Sequence, residues 1–201
     1  APKLVIGAVY SYNQGMSSRR GRESGAILYL DAMGNESLPD YTKYGVDFLF
    51  KYKGFSMLGE FMASEATVPT SITQRVRNDG SVASTFLVDN VENVDAYVKG
   101  RMMLGQAFNI QAGYMFKSLW SVDARYTHLK ADKNSFLNNG TFYNRPNYYT
   151  VGVSKYLSKS YGIKVQGSVT YVDLAAGSNN IYGEPIGGNE WQTRIITSIA
   201  F

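Results

Sequence analysis

The chain has 201 residues, 44% of them hydrophobic and 14% aromatic, enough for one sizeable domain spanning residues 1–201. No uninterrupted apolar run approaches the ~18 residues of a membrane-spanning helix, which excludes helical spanning but not a barrel, whose strands turn only every second residue toward lipid. The net charge of +4 is spread along the chain, which argues against nucleic acid as a partner, and the absence of Cys removes disulfides and thiolate metal sites.

The opening APKLVIGAVY lacks the charged and then apolar layout of a secretory signal, so the chain is expected to be mature or truncated. Residues 4–12 alternate with a period of two, placing Leu4, Ile6, Ala8, Tyr10 and Tyr12 on one face of a strand. Over 44–52 the apolar face runs through Tyr44, Val46, Phe48, Phe50 and Tyr52, with Gly45, Asp47, Leu49 and Lys51 opposite. A two-residue turn, Lys53-Gly54, predicts a tight hairpin into 55–63, where Phe55, Met57, Gly59 and Phe61 oppose Ser56, Leu58, Glu60 and Met62.

A second hairpin covers 106–128 and turns at Lys117-Ser118. It sets Phe108, Ile110, Ala112, Tyr114 and Phe116 on one face, continued by Trp120, Val122, Ala124 and Tyr126, with Ser121, Asp123, Arg125 and Thr127 on the other. A third joins 149–157 to 163–171 through a short turn near Ser158, with Ile163, Val165, Val169 and Tyr171 opposing Lys164, Gln166, Ser168 and Thr170. In the last strand Trp191, Thr193, Ile195, Thr197, Ile199 and Phe201 share a face, which brings the total to about eight strands.

The predicted links alternate between two or three residues and roughly fifteen to forty, the asymmetry of short periplasmic turns and long extracellular loops in outer-membrane barrels. The segments near 13–42, 65–104, 130–146 and 175–189 are then outside. A soluble sandwich alternates too, so aromatic placement has to discriminate. One end of the apolar face carries Phe50, Tyr52, Phe55, Phe116, Trp120, Tyr161 and Phe201, and the other carries Tyr12, Tyr44, Phe61, Tyr126, Tyr149, Tyr171 and Trp191. Two such girdles, bounding strands near the ~9 to 11 residues of a bilayer crossing, predict an all-β, transmembrane, antiparallel up-and-down barrel.

The segments LVIGAVYSY, YGVDFLFKYKGFSMLGEF, NIQAGYMF, SVDARYT, YTVGVSKYL and GIKVQGSVTY, with the final strand, resemble the C-terminal half of the phosphate-selective porin O/P family, particularly its Bacteroidota members. The resemblance implies a sixteen-stranded, usually trimeric channel of the bacterial outer membrane, of which this chain holds half and lacks the pore-narrowing loop. Polar inward faces and lipid-compatible outward ones predict passive diffusion of small hydrophilic, including anionic, solutes, with outer-membrane lipid, lipopolysaccharide and other outer-membrane proteins as partners. The alternatives are eight strands that close alone, leaving an interior just filled by side chains, and a non-conducting structural or partner-binding barrel. Gly7, Gly45, Gly113 and Gly152, which fill space poorly, favour the wider lumen.

The residues expected to line the pore are Asp47, Lys51, Glu60, Asp123, Arg125, Lys164 and Arg194, a mixture weakly favourable to anions. A second reading pairs Asp123 with Arg125 and Asp47 with Lys51 as wall-stabilising ions. No run of inward basic residues matches the family's arginine ladder. Arg19, Arg20 and Arg22 form a loop cluster that either meets lipopolysaccharide phosphates or is simply solvated. Asp31, Asn35, Glu36 and Asp40 offer oxygen ligands, but at a spacing unlike an EF-hand, and neither a metal nor a cofactor is expected. The single histidine, His128, falls on the opposite face from Asp123, and no catalytic residue and no enzyme are expected.

Overall fold

The computed structural model describes residues 1–16, 26–77, 79–138, 145–159, 161–174 and 189–200. Arg19, Arg20, Arg22 and Phe201 lie outside the described residues. In chain order the strands are β1 (Lys3–Asn13), β2 (Ala26–Leu30), β3 (Asp40–Tyr52), β4 (Phe55–Thr67), β5 (Gln74–Arg77), β6 (Val82–Ala83), β7 (Leu87–Val88) and β8 (Val91–Glu92). A short helix, α1 (Val94–Lys99), precedes β9 (Gly105–Met115), β10 (Trp120–Ala131), β11 (Asn147–Tyr156), β12 (Ile163–Asp173) and β13 (Asn189–Ile199).

The fold is all-β at its centre. Eight long strands form one antiparallel sheet in the order β1-β3-β4-β9-β10-β11-β12-β13, each paired with the next long strand along the chain. The sheet is open, with β1 and β13 as its edges. The long strands after β1 follow the expected period of two, β1 is apolar on both faces over residues 4–9, and the registers keep one apolar face in phase across the sheet. Ile6 lies opposite Phe48, Phe48 opposite Gly59, Gly59 opposite Ile110, and Ile110 opposite Tyr126. The same row continues through Tyr149 and Tyr171 to Trp191. A slip of one residue at any pairing would have broken this row.

Several bounds differ from the sequence reading. β3 and β4 each have 13 residues and run past Tyr44 and Ala63 to Asp40 and Thr67. Lys53 and Gly54 form the expected tight turn, with Gly54 at φ +89°. The next two turns are longer than expected, occupying 116–119 and 157–162, and each places a non-glycine residue, Leu119 or Tyr161, at positive φ. Neither residue type signals such a backbone.

The buried core lies outside the sheet. Tyr29, Ile72, Phe86, Tyr97, Val98, Met102 and Leu104 pack together from the connections β1–β3 and β4–β9, with Phe86 edge-on to Tyr97 at 5.2 Å between centroids. Helix α1 begins where the Asn93 side chain accepts the Ala96 N–H, and Asp95 pairs with Lys99 at 2.9 Å. The β10–β11 connection joins this cap through Ser135, whose Oγ accepts the Leu104 N–H and donates to the Met102 carbonyl, each at 2.8 Å. Arg75 stacks on and donates to Tyr97, and Arg101 covers the Tyr97 ring at 3.5 Å from its centroid. Met16, Leu38, Tyr41 and Ala66 pack against the cluster and dock the cap on the sheet.

Candidate functional site

The two faces of the sheet differ in chemistry. One carries Leu4, Ile6, Tyr44, Val46, Phe48, Phe55, Met57, Ile110, Val122, Val151, Val169 and Ile195, and many of these side chains are exposed with no second layer against them. A contiguous apolar surface of this extent demands a partner medium or molecule.

An aromatic row bounds this face at the cap end. Tyr10 lies opposite Tyr44, Tyr44 contacts Phe61 at 6.4 Å, and Phe61 lies opposite Phe108. The row continues from Phe108 to Tyr126 at 5.3 Å, Tyr149 at 4.9 Å, Tyr171 at 6.1 Å and Trp191 at 5.1 Å. Every long strand contributes, and the sequence girdle lacked only Tyr10 and Phe108. Beyond the row the face turns polar. The Tyr12 hydroxyl donates to Asp40 at 2.7 Å, Tyr44 to Glu65 at 3.0 Å and Tyr126 to Asn147 at 2.8 Å. Tyr44 and Tyr126 thus keep their rings in the row and their hydroxyls in the polar zone beyond it, while Tyr12, expected in the row, lies in that polar zone.

The opposite end carries Tyr52, Phe55, Tyr114, Phe116 and Trp120, with Phe50 against Phe55 at 6.2 Å and Tyr114 against Phe116 at 4.9 Å. Lys53 caps the Tyr52 ring and Lys155 the Trp120 ring, beyond which chain turns follow. Tyr161, expected in this girdle, packs instead on Tyr156, whose strand position is on the polar face. From Trp120 to Tyr126 the band measures about 20 Å along β10, and from Tyr44 to Tyr52 about 27 Å along β3, at ~3.4 Å per residue.

The cap-end row is slanted. The hydrogen-bonded row through Trp191, Tyr171, Tyr149 and Tyr126 meets β1 at Ile6, whereas the aromatic series reaches β1 at Tyr10, a climb of four residues. A belt at constant height on tilted strands produces such a stagger, as barrel walls require.

All seven residues expected to line a pore occupy the other face. Asp47 lies opposite Glu60, Glu60 opposite Asn109, Arg125 between Gln111 and Thr150, and Arg194 opposite Ser168. Lys3 and Lys43 share this face and add positive charge. Arg125 is held by Gln111 Oε1, to which Nε donates at 3.0 Å and Nη2 at 2.7 Å. Thr127 donates to Asn109 and Asn109 to Glu60, a ladder across three strands. Thr150 and Thr170 share a 2.8 Å hydrogen bond, and Lys164 donates to Gln166 at 3.0 Å. Gln111, Arg125, Thr150, Ser168 and Arg194 border a polar hollow of about 480 Å³ reached from five consecutive strands.

The ion pairs expected in this wall do not form. Among the described residues the salt bridges are Lys99–Asp95 and Arg145–Glu190. Asp123 accepts from Ser121 Oγ at 3.2 Å, while Arg125 turns to Gln111. Two of the inward glycines do not leave empty space, since a Cβ at Gly7 would collide with the Asp47 carboxylate and one at Gly113 with that of Asp123. Among the loop oxygens, Asp31 Oδ1 accepts the N–H groups of Met33 and Asn35, and Asp40 accepts Tyr12 and the Gly15 N–H, so both close local structure. The Asn35 backbone, followed by its side chain, holds the Asp31 carboxyl below its usual range. His128 bonds Asn147 at 2.8 Å and lies against Phe108, on the opposite face from Asp123.

No family model, curated protein or solved structure matches this chain.

Proposed function

We propose that this chain forms eight membrane-crossing strands in the wall of an outer-membrane porin, completed by further strands, and that the wall bounds a water-filled channel for passive diffusion of small hydrophilic solutes, anions included. The observation that carries the reading is the phase-locked register. Eight strands agree on an apolar face that an aromatic row crosses at the cap end and a second row, on β3, β4, β9 and β10, bounds at the other, and on a polar face bearing Lys51, Arg125, Lys164 and Arg194 against Asp47, Glu60 and Asp123. A soluble sandwich supports the alternation, but it gives no reason for tyrosine hydroxyls reaching outward to Asp40, Glu65 and Asn147.

The open sheet favours a larger barrel over eight strands that close alone, in keeping with the resemblance to the phosphate-selective porin O/P family and its trimeric channels. Long connections at one end and short turns at the other support an orientation with the cap outward and the free ends of β1 and β13 toward the periplasm. Lipid and lipopolysaccharide are the expected neighbours of the apolar face.

Single-channel recording of the intact protein in planar bilayers tests the reading. Stepwise open conductance with a weak anion preference in the reversal potential is expected. The cap docks through Tyr41 and Ser64, both on the polar-face side, with each hydroxyl donating to the Met103 carbonyl. This favours a second reading, a non-conducting barrel that binds partners, and a folded protein without conductance would establish it in place of the first.

A further inference from the structure

The polar hollow of about 480 Å³ carries charges of opposite sign at its two sides. One cross-strand row of the polar face runs from Asp123 on β10 through Gly152 and Ser168 to Arg194 on β13. Three strand spacings, about 14 Å, separate the two charged positions, too far for a direct ion pair. Both groups are available. Asp123 accepts only from Ser121 Oγ among the described residues, and the exposed Arg194 has no hydrogen-bond or ion-pair partner among them. Arg125, the remaining charge in the hollow, is turned toward β9 by its two bonds to Gln111.

The floor between the two charges is open and neutral. A Cβ added at Gly152 would meet the Gly167 carbonyl and the Ser168 Cβ at 3.5 Å, an ordinary contact, in contrast to the carboxylates that fill the space beside Gly7 and Gly113. Around Gly152, the paired hydroxyls of Thr150 and Thr170 and the amides of Gln166 and Gln192 offer both donors and acceptors.

We infer that this hollow is a binding subsite for zwitterionic solutes of dipeptide length, which set their carboxylate on Arg194 and their ammonium on Asp123. The inference rests on the proposed channel wall, whose solute class it narrows. Length decides among the candidates. Two residues extend about 7 Å, and a charge-assisted hydrogen bond of about 2.8 Å at each end brings the span near 13 Å, a match to the separation of the two charges. A free amino acid is half as long and meets one charge at a time. Inorganic phosphate answers Arg194 alone and is repelled by Asp123 in the same row.

Ligand-observed saturation-transfer NMR on the intact, folded protein in detergent micelles would measure alanylalanine, its N-acetyl form without the ammonium, its amide without the carboxylate, and free alanine. Alanylalanine is expected to bind at least about fivefold more tightly than each of the other three, the factor that a solvated charge pair supplies. Arg194→Gln should erase the preference over the amide and keep that over the N-acetyl form, while Asp123→Asn should do the reverse, a crossed pattern that misfolding does not produce. Equal affinity for the four ligands, preferences that survive both substitutions, or inorganic phosphate competing better than alanylalanine itself would overturn the subsite. Swelling of protein-containing vesicles in arabinose reads the channel separately. Swelling without a preference for alanylalanine overturns the subsite alone, whereas the crossed pattern without swelling overturns the channel and leaves the binding site.

Discussion

In the cap, Tyr29, Phe86, Val98 and Leu104 are at most 2% exposed, while on the sheet Ile6, Tyr10, Trp191 and Ile195 are at least 70% exposed. The cap makes a core from its own side chains. The sheet satisfies its backbone through ladders and leaves its apolar side chains for another medium to cover. Apolar burial near 25 cal/mol per Å² stabilises the cap internally, whereas the same chemistry on the sheet becomes favourable only once something covers it, lipid on the proposed reading. One chain therefore contains two kinds of structure, and substitutions should act on them through different solvents.

The largest effect is expected in the cap. Phe86→Ala removes a buried ring packed on Tyr29 and Tyr97 and should cost about 3–5 kcal/mol of local stability. Limited proteolysis would then cut between β4 and β9 while strand content by circular dichroism stays unchanged. Loss of the sheet along with the cap would break the comparison.

A charge on the apolar face should act next most strongly. Val151→Arg places a guanidinium at mid-strand on that face and should cost about 2–4 kcal/mol of folding free energy in vesicles, whereas Thr150→Arg, facing the other way, should cost far less. Equal penalties, measured by denaturant titration in vesicles, would mean that the faces do not meet different media.

The smallest effect concerns Tyr29. Its hydroxyl is buried without a hydrogen-bond partner among the described residues, and burial pushes its pKa up to about 12 from 10.0. Because the folded-state value is raised, the contribution to cap stability is complete below pH 10.0 and is lost as pH rises through about 12. Tyr29→Phe should change stability at neutral pH by no more than about 1 kcal/mol and remove that alkaline loss from cap unfolding followed by proteolysis.

The sheet was legible because its information is local. A period of two along β3 or β12 assigns every side chain to a face, and seven pairings then had no freedom to disagree. Asp47, Glu60, Asp123, Arg125, Lys164 and Arg194 share a face for that reason. Their partners were not legible, because whether Arg125 meets Asp123 or Gln111 depends on which way each side chain leans across β9. The glycines misled in the same way, since carboxylates from neighbouring strands fill the space beside Gly7 and Gly113. The cap left almost no local trace. Tyr29, Ile72, Phe86 and Leu104 come from distant positions without periodicity, and α1 is too short at six residues to show a helical repeat. Asn93 before it, and the Asp95–Lys99 spacing, were the signals available.

The two tryptophans test the membrane wall most directly, because Trp120 and Trp191 are the only ones in the chain and belong to opposite aromatic rows. Trp120→Phe and Trp191→Phe variants would each be folded into vesicles of lipids brominated either near the glycerol or near the chain end. Both remaining tryptophans should be quenched more strongly by bromine near the glycerol, each at its own interface. A tryptophan that no brominated lipid quenches, or one quenched best from the chain ends, would contradict an apolar face bounded by two interfacial rows.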